Sequence, residues 1–208
     1  MSTSVQRLRH REHREQTRRQ ILAAADRQLR DRPYRELSVE TVMTDAGLTR
    51  TAFYRHFEDV PDLVLRLLED VGGELYEIAQ KWRRGSAEDF PAAAREGLRA
   101  IVAFFERHGP LVAAVAEATV ADQRIESGYQ GFLEVFITLT ERGFEGMVQR
   151  GQVEPFPTRA VARALNLMNE RLLLDQLGRE PRGEPADVLA TIEMIWLRSV
   201  GAVEPTLP

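Results

Sequence analysis

Thr49, Arg50, Thr51, Tyr54, Arg55 and His56 combine charged and hydrogen-bonding types within eight positions of the chain. Those types suit a DNA major groove. Arg pairs bidentately with guanine, Thr meets base edges or a thymine methyl, and a Tyr hydroxyl holds phosphate oxygen. To face one way, the six must share the outer side of a helix whose inner side is buried. The surrounding sequence LSVETVMTDAGLTRTAFYRHF predicts such a helix. Ser38 is expected to cap a helix over 39–46, Gly47 to end it, and Thr49 to cap a second helix over 50–56. Val39, Val42, Met43, Ala46, Leu48, Phe53 and Phe57 fall where the helices must pack. This is helix-turn-helix spacing, and its second helix docks in the groove. Any small three-helix module with a charged face shares that spacing, so the spacing leaves both readings open. Arg7, Arg9, Arg11, Arg14, Arg18 and Arg19 precede it and suit phosphates or a minor groove. A solvated charged helix end accounts for some of them equally well.

A second constellation lies in RALNLMNERLLLDQL. Asn166, Asn169 and Glu170 share one helix face at i, i+3 and i+4, among leucines. Amides in such a setting are costly to bury unpaired. A ligand, water or a neighbouring helix would satisfy them, and simple solvent exposure fits too.

Enzyme chemistry finds little support. The chain has no Cys, which removes thiolate metal sites and Cys nucleophiles. His10 and His13 stand three apart in a basic stretch without the carboxylate of a zinc helix, and His56 belongs to the groove-facing segment. No phosphate-cradling Gly loop or nucleophile elbow is visible. No enzyme activity, cofactor or metal is expected.

The elements that must position these groups are helical nearly throughout. The 208 residues have an ordinary globular composition, 43% apolar and 29% charged. The net charge of −4 is uneven. Residues 1–57 carry 12 Arg against 7 acidic residues, and the remainder is acidic. A basic head implies an anionic partner for the head alone. The pattern predicts about nine helices: 12–30, 39–46, 50–56, 59–84, 91–108, 111–123, 126–150, 158–177 and 186–200. Residues 1–11 are expected to be a flexible arm and the tail after 200 to fray. Gly109-Pro110 is expected to break the chain. The predicted class is all-α, with a helix-turn-helix domain at 1–57 and a helical bundle with a ligand cavity at 58–208. No secretory signal or apolar run of membrane-spanning length is seen, so a soluble cytoplasmic protein is expected.

The stretch AGLTRTAFYRHFEDVPDLV is similar to the signature of the TetR family of bacterial transcriptional repressors, with Phe53, Tyr54, His56 and Phe57 matching its aromatic run. The resemblance implies that Thr49, Arg50, Thr51, Tyr54 and His56 face an operator, with Ser38 and Thr41 near phosphates. One departure stands out. The family usually has Lys three residues after the last Phe, and this chain has Val60 followed by Pro61. That leaves more for the arm, Arg9 and Arg11 included. LNLMNER, FLEVF and IEMIWLRSV are similar to one branch of the family, in which the two Asn and a Trp of the last helix line a long apolar channel. Carried over, this implicates Asn166, Asn169 and Trp196, then Phe104 and Phe136, with Leu133 and Leu173 as further lining candidates. Each Phe or Leu reads equally as plain core. Gly97 and His108 replace aromatics of that branch, which implies a wider channel or a polar end. The family pairs its last two helices across a dimer; Ala160, Ala164, Leu167, Leu174, Val188, Ile192, Ile195 and Ser199 suit that role. The expected partners are double-stranded operator DNA, a mostly apolar small effector and a second copy, with no membrane. The expected function is a dimeric repressor released by its ligand, located in the cytoplasm at the nucleoid. A helical ligand- or lipid-carrying protein without DNA function is the rival, and the basic helix-turn-helix head separates the two.

Overall fold

The computed structural model describes residues 2–85 and 89–200. Among these there are eight α-helices, one short 3-10 turn (Tyr34–Glu36) and no strand. The helices are α1 (Ser2–Asp31), α2 (Val39–Ala46), α3 (Arg50–Phe53), α4 (Val60–Gly85), α5 (Phe90–Ala118), α6 (Gln123–Gln149), α7 (Thr158–Leu177) and α8 (Pro185–Ser199). The all-α class is as expected, and no helix among the described residues is long and apolar enough to cross a membrane. The tail predicted to fray, 201–208, lies outside the described residues.

Two departures from the sequence pattern have physical causes. Helix α1 starts at Ser2, so residues expected to form an arm are helical. No Gly or Pro interrupts the chain before Pro33. Good helix formers carry a solvated helix without any apolar stripe, and Glu15 pairs with Arg18 and Arg19 along it. The apolar stripe of Ile21, Leu22, Ala25 and Leu29, all buried, begins only later.

The other departure is α5, which runs straight through Gly109-Pro110 and merges two expected helices into one. Proline removes the N–H that would bond the carbonyl four residues back, that of Glu106. The Arg182 guanidinium donates to that Glu106 carbonyl instead, at 3.2 Å. Gly109 adds a close approach, since a Cβ there would lie 2.3 Å from the Leu177 carbonyl oxygen.

The chain divides into two compact units, the first reaching Asp70 and including Ala114–Ser127, the second taking Val71–Ala113 and the chain from Gly128. These units are a division by packing and differ from the functional boundary expected after residue 57.

In the first unit α2 packs on α1 and α3. Its core takes Val42, Met43, Phe53, Phe57, Leu63 and Val64, with Phe53 and Phe57 rings 5.5 Å apart. Asp59 caps α4 by accepting from the Asp62 N–H at 2.9 Å. Arg124 then bridges Asp59 at 2.8 Å and Asp122 at 3.1 Å, tying the start of α6 to the start of α4. The second unit has an aromatic core. Trp82 lies edge-on to Phe90, Phe144 and Trp196, with centroids 6.1–6.5 Å apart. Its indole fills the room beside Gly97 and Gly143, where added Cβ atoms would lie 3.2 Å and 2.5 Å from it. The space expected from Gly97 is therefore filled by Trp82.

Candidate functional site

The head surface is built by local signals. Ser38 Oγ accepts from the Thr41 N–H, and Thr41 Oγ1 accepts from the Ser38 N–H, each at 3.1 Å. This capping box satisfies two orphan donors of α2. Gly47 then turns the chain at φ 67°, the left-handed conformation expected of it. Thr49 sits at the N-cap of α3 with extended backbone but makes no side-chain cap bond. Its hydroxyl is left for another partner.

Helix α3 is one turn long, shorter than the predicted 50–56. Tyr54, Arg55 and His56 follow in a tight turn, with the N–H groups of Arg55 and His56 reaching back three residues, to Ala52 and Phe53. Thr49, Arg50, Thr51, Tyr54 and Arg55 are exposed. Arg50 donates to the Tyr54 hydroxyl at 3.2 Å, and its guanidinium lies 5.7 Å from the Tyr54 ring centroid. That contact pre-orders two side chains in solvent. Arg9 and Arg11 are exposed on α1, and Arg14 donates to the Arg55 carbonyl at 3.4 Å. His56 is half-buried rather than fully outward. Burial, then the charges of Arg14 and Arg18, hold its imidazole below the ordinary value. It therefore offers a neutral ring near neutral pH.

The second unit contains two small adjoining cavities. One, of about 60 Å³, has Leu133, Phe136, Asn166, Asn169 and Leu173 in its wall, five of the residues expected there. The other, of about 40 Å³, is walled by Trp82, Gly97 and Trp196 among others. Ile101, Phe136 and Asn166 border both. Asn169 Oδ1 accepts from Trp196 Nε1 at 3.0 Å, so two of the three residues carried over by resemblance for the channel bond each other in the core. Asn166 spends both Nδ2 hydrogens, on Thr140 Oγ1 at 3.0 Å and on the Ala162 carbonyl at 2.8 Å. Its Oδ1 and the Asn169 Nδ2 are the amide atoms left for a guest.

Phe104 is fully buried and borders neither cavity; it stacks near His108, at 4.8 Å between centroids. Phe105, one step round the helix, takes the wall position. Sequence reasoning also missed Trp82 and Tyr129. Among the described residues, Trp82 Nε1 is buried with no hydrogen-bond partner. Tyr129 gives its hydroxyl to Glu170 Oε1 at 2.8 Å, and both border the larger cavity. Glu170 was legible from its shared face with the asparagines. Tyr129 carried no comparable local signal.

On the faces expected to pair, α7 and α8 pack on each other. Ala160, Ala164 and Ser199 are exposed, while Leu167, Leu174 and Ile195 are half-buried. Val188 and Ile192 are buried within the unit, so they belong to its core and are not open to a second copy.

Comparison with known proteins bears on both units. The family of bacterial regulatory proteins, tetR family, matches residues 21–67, and the C-terminal domain of the transcriptional regulator EthR matches residues 94–202. The HTH-type transcriptional regulator EthR of Mycolicibacterium smegmatis is 29% identical over 191 residues, which cover 89% of this chain and 86% of that protein. EthR of Mycobacterium tuberculosis is 30% identical over 183 residues, covering 86% and 85%. The crystal structure of native NalD, the secondary repressor of the MexAB-OprM multidrug efflux pump in Pseudomonas aeruginosa, shares the fold. Its TM-score is 0.74 at 21% identity, over 90% of this chain and 98% of that one. An exposed helix-turn-helix in one unit, a mostly apolar cavity with a few polar groups in the other and these matches over most of the length place the chain in the TetR family, as a DNA-binding transcriptional regulator with an EthR-like C-terminal domain and not an enzyme.

Proposed function

We propose that this regulator is a homodimeric repressor that leaves its operator when a small, mostly apolar effector enters the second unit. Residues 1–57 serve DNA and residues 58–208 serve ligand binding and dimerisation, in the cytoplasm at the nucleoid. Thr49, Arg50, Thr51, Tyr54, Arg55 and His56 face the operator. Ser38 and Thr41 lie by phosphates, and Arg9 and Arg11 add backbone contacts from α1. The dimer forms through the outward sides of α7 and α8, where Ala160, Ala164, Ile195 and Ser199 allow close approach. A two-fold dimer presents two recognition segments to half-sites roughly 34–36 Å apart, or a multiple of that.

One observation carries the coupling. Helix α4 is uninterrupted from its Asp59 cap to Gly85, and its residues Leu75, Ile78, Ala79 and Trp82 wall the cavities. The free cavities are far below the roughly 300–1,000 Å³ of ordinary ligand sites. Entry of an elongated guest must therefore displace the shared wall and with it α4. The effector shifts DNA affinity only by its differential affinity for the two α4 positions.

The test is fluorescence anisotropy with DNA from upstream of the regulator's own gene, titrated with salt against scrambled competitor. Tight binding, a steep salt slope and resistance to the competitor are expected. Thr51→Ala with Tyr54→Phe should weaken it by about 1–3 kcal/mol per lost base contact while leaving the fold intact. Unchanged affinity would remove both residues from the interface. Equal affinity for the scrambled DNA would sink the repressor role at that site.

A further inference from the structure

Both cavities are mostly apolar, yet the larger one holds Glu170, the one residue of charged type among the described residues lining either. Its Oε1 accepts from the Tyr129 hydroxyl, and among the described residues no Arg or Lys pairs with it. The phenol cannot neutralise it. Burial first, then the Glu170 charge and the bond given to it, push the Tyr129 hydroxyl well above its ordinary value, so Tyr129 stays a neutral donor. Glu170 is half-buried, and a carboxylate partly withdrawn into apolar surroundings favours a cation that can meet it there.

Asn169 Nδ2 offers hydrogens to an acceptor in the same cavity, but the other groups beside Glu170 favour a cation. Asn166 and Glu170 stand four residues apart on one face of α7. Asn166 has committed both its hydrogens, so it presents an acceptor beside the carboxylate. Tyr129, Phe132 and Phe136 supply aromatic rings to the same cavity. Aromatic faces attract a desolvated cation.

We propose that the effector is a lipophilic cation, a protonated amine on an apolar body, with its N–H groups seated on the Glu170 carboxylate and Asn166 Oδ1. This rests on the cavity being the effector site.

The probes are decylammonium, decanol and decanoate, equal in chain length and different in head group. Each is titrated into the full chain by calorimetry, below its aggregation concentration. The ammonium should bind at one per chain, at least about tenfold tighter than decanol, with decanoate weakest. Glu170→Gln keeps an acceptor for Tyr129 and should erase the advantage of ammonium over decanol while decanol still binds. Thermal unfolding of the variant confirms that it is folded.

Equal binding of the three heads would overturn the proposal, as would an ammonium preference that survives Glu170→Gln. In either case decanol binding that is lost in Asn169→Leu keeps the cavity as the effector site. Failure of all three probes to bind saturably would remove both ideas.

Discussion

The two units handle polar groups in opposite ways. In the first, the side chains proposed to meet DNA stand in solvent except for the half-buried His56, and those that shape the surface are satisfied within a few residues. Ser38 and Thr41 cap each other across three positions, and Gly47 needs only its own backbone freedom. In the second, Asn166, Asn169 and Glu170 depend on partners 26, 27 and 41 residues away. A surface of the first kind can be altered at small cost to the fold. A cavity of the second kind cannot, because Asn166, Asn169 and Glu170 each hold a neighbouring helix in register.

Separate reporters make that contrast measurable, since both Trp residues, Trp82 and Trp196, lie in the second unit. The largest effect is expected from Phe53→Ala. Phe53 is fully buried in the head, and losing such a ring costs about 3–5 kcal/mol. Operator binding should vanish, and helical signal should be lost early on heating. Trp fluorescence should follow a separate, later transition. Coincident transitions by the two probes would show that the units melt together, and the contrast would then hold for chemistry alone.

Asn169→Leu comes next. It strands the buried Trp196 Nε1, and an unsatisfied buried donor costs about 1–3 kcal/mol. Trp fluorescence and ligand response should both change, whereas DNA affinity without ligand should not. A ligand dose-response identical to that of the natural chain would take Asn169 out of the effector site.

A smaller effect, about 1 kcal/mol, is expected for Ser38→Ala, which opens the capping box of α2. Urea unfolding followed by circular dichroism measures it. A loss far beyond that would mean that Ser38 acts through long-range partners, as the cavity residues do.

Legibility in the sequence follows the same line. The helix-turn-helix was readable because its determinants are local: a capping serine, a left-handed glycine and a period of buried residues. Helix α5 was misread at Gly109-Pro110 because the donor replacing the lost N–H comes from Arg182, far along the chain. Phe104, carried over by resemblance, borders neither cavity while Phe105 does, since one residue turns a helical side chain by about 100°. The start of α1 was missed because a solvated helix carries no apolar stripe. The Asn166–Asn169–Glu170 face was visible, and its partners Thr140, Trp196 and Tyr129 were not.

The smallest effect concerns His56, the head residue least like its exposed neighbours. Its folded pKa is lowered from 6.5 by burial first, then by Arg14 and Arg18, with Glu15 opposing. Below 6.5 the unfolded chain takes a proton that the folded head refuses. Where the unfolded state binds more protons, stability rises with pH. The head is therefore most stable above 6.5. It loses stability as pH falls through that value and levels off once the folded imidazole also titrates. Solvent access keeps the effect small. Thermal unfolding followed by circular dichroism between pH 5 and 7.5 should show this slope, and His56→Gln should flatten it. Bound operator works in the opposite sense. Phosphates near the ring favour its protonated form, so the slope should shrink when DNA is present. An undiminished slope in the complex would place His56 away from the phosphates and leave the operator to the fully exposed residues around it.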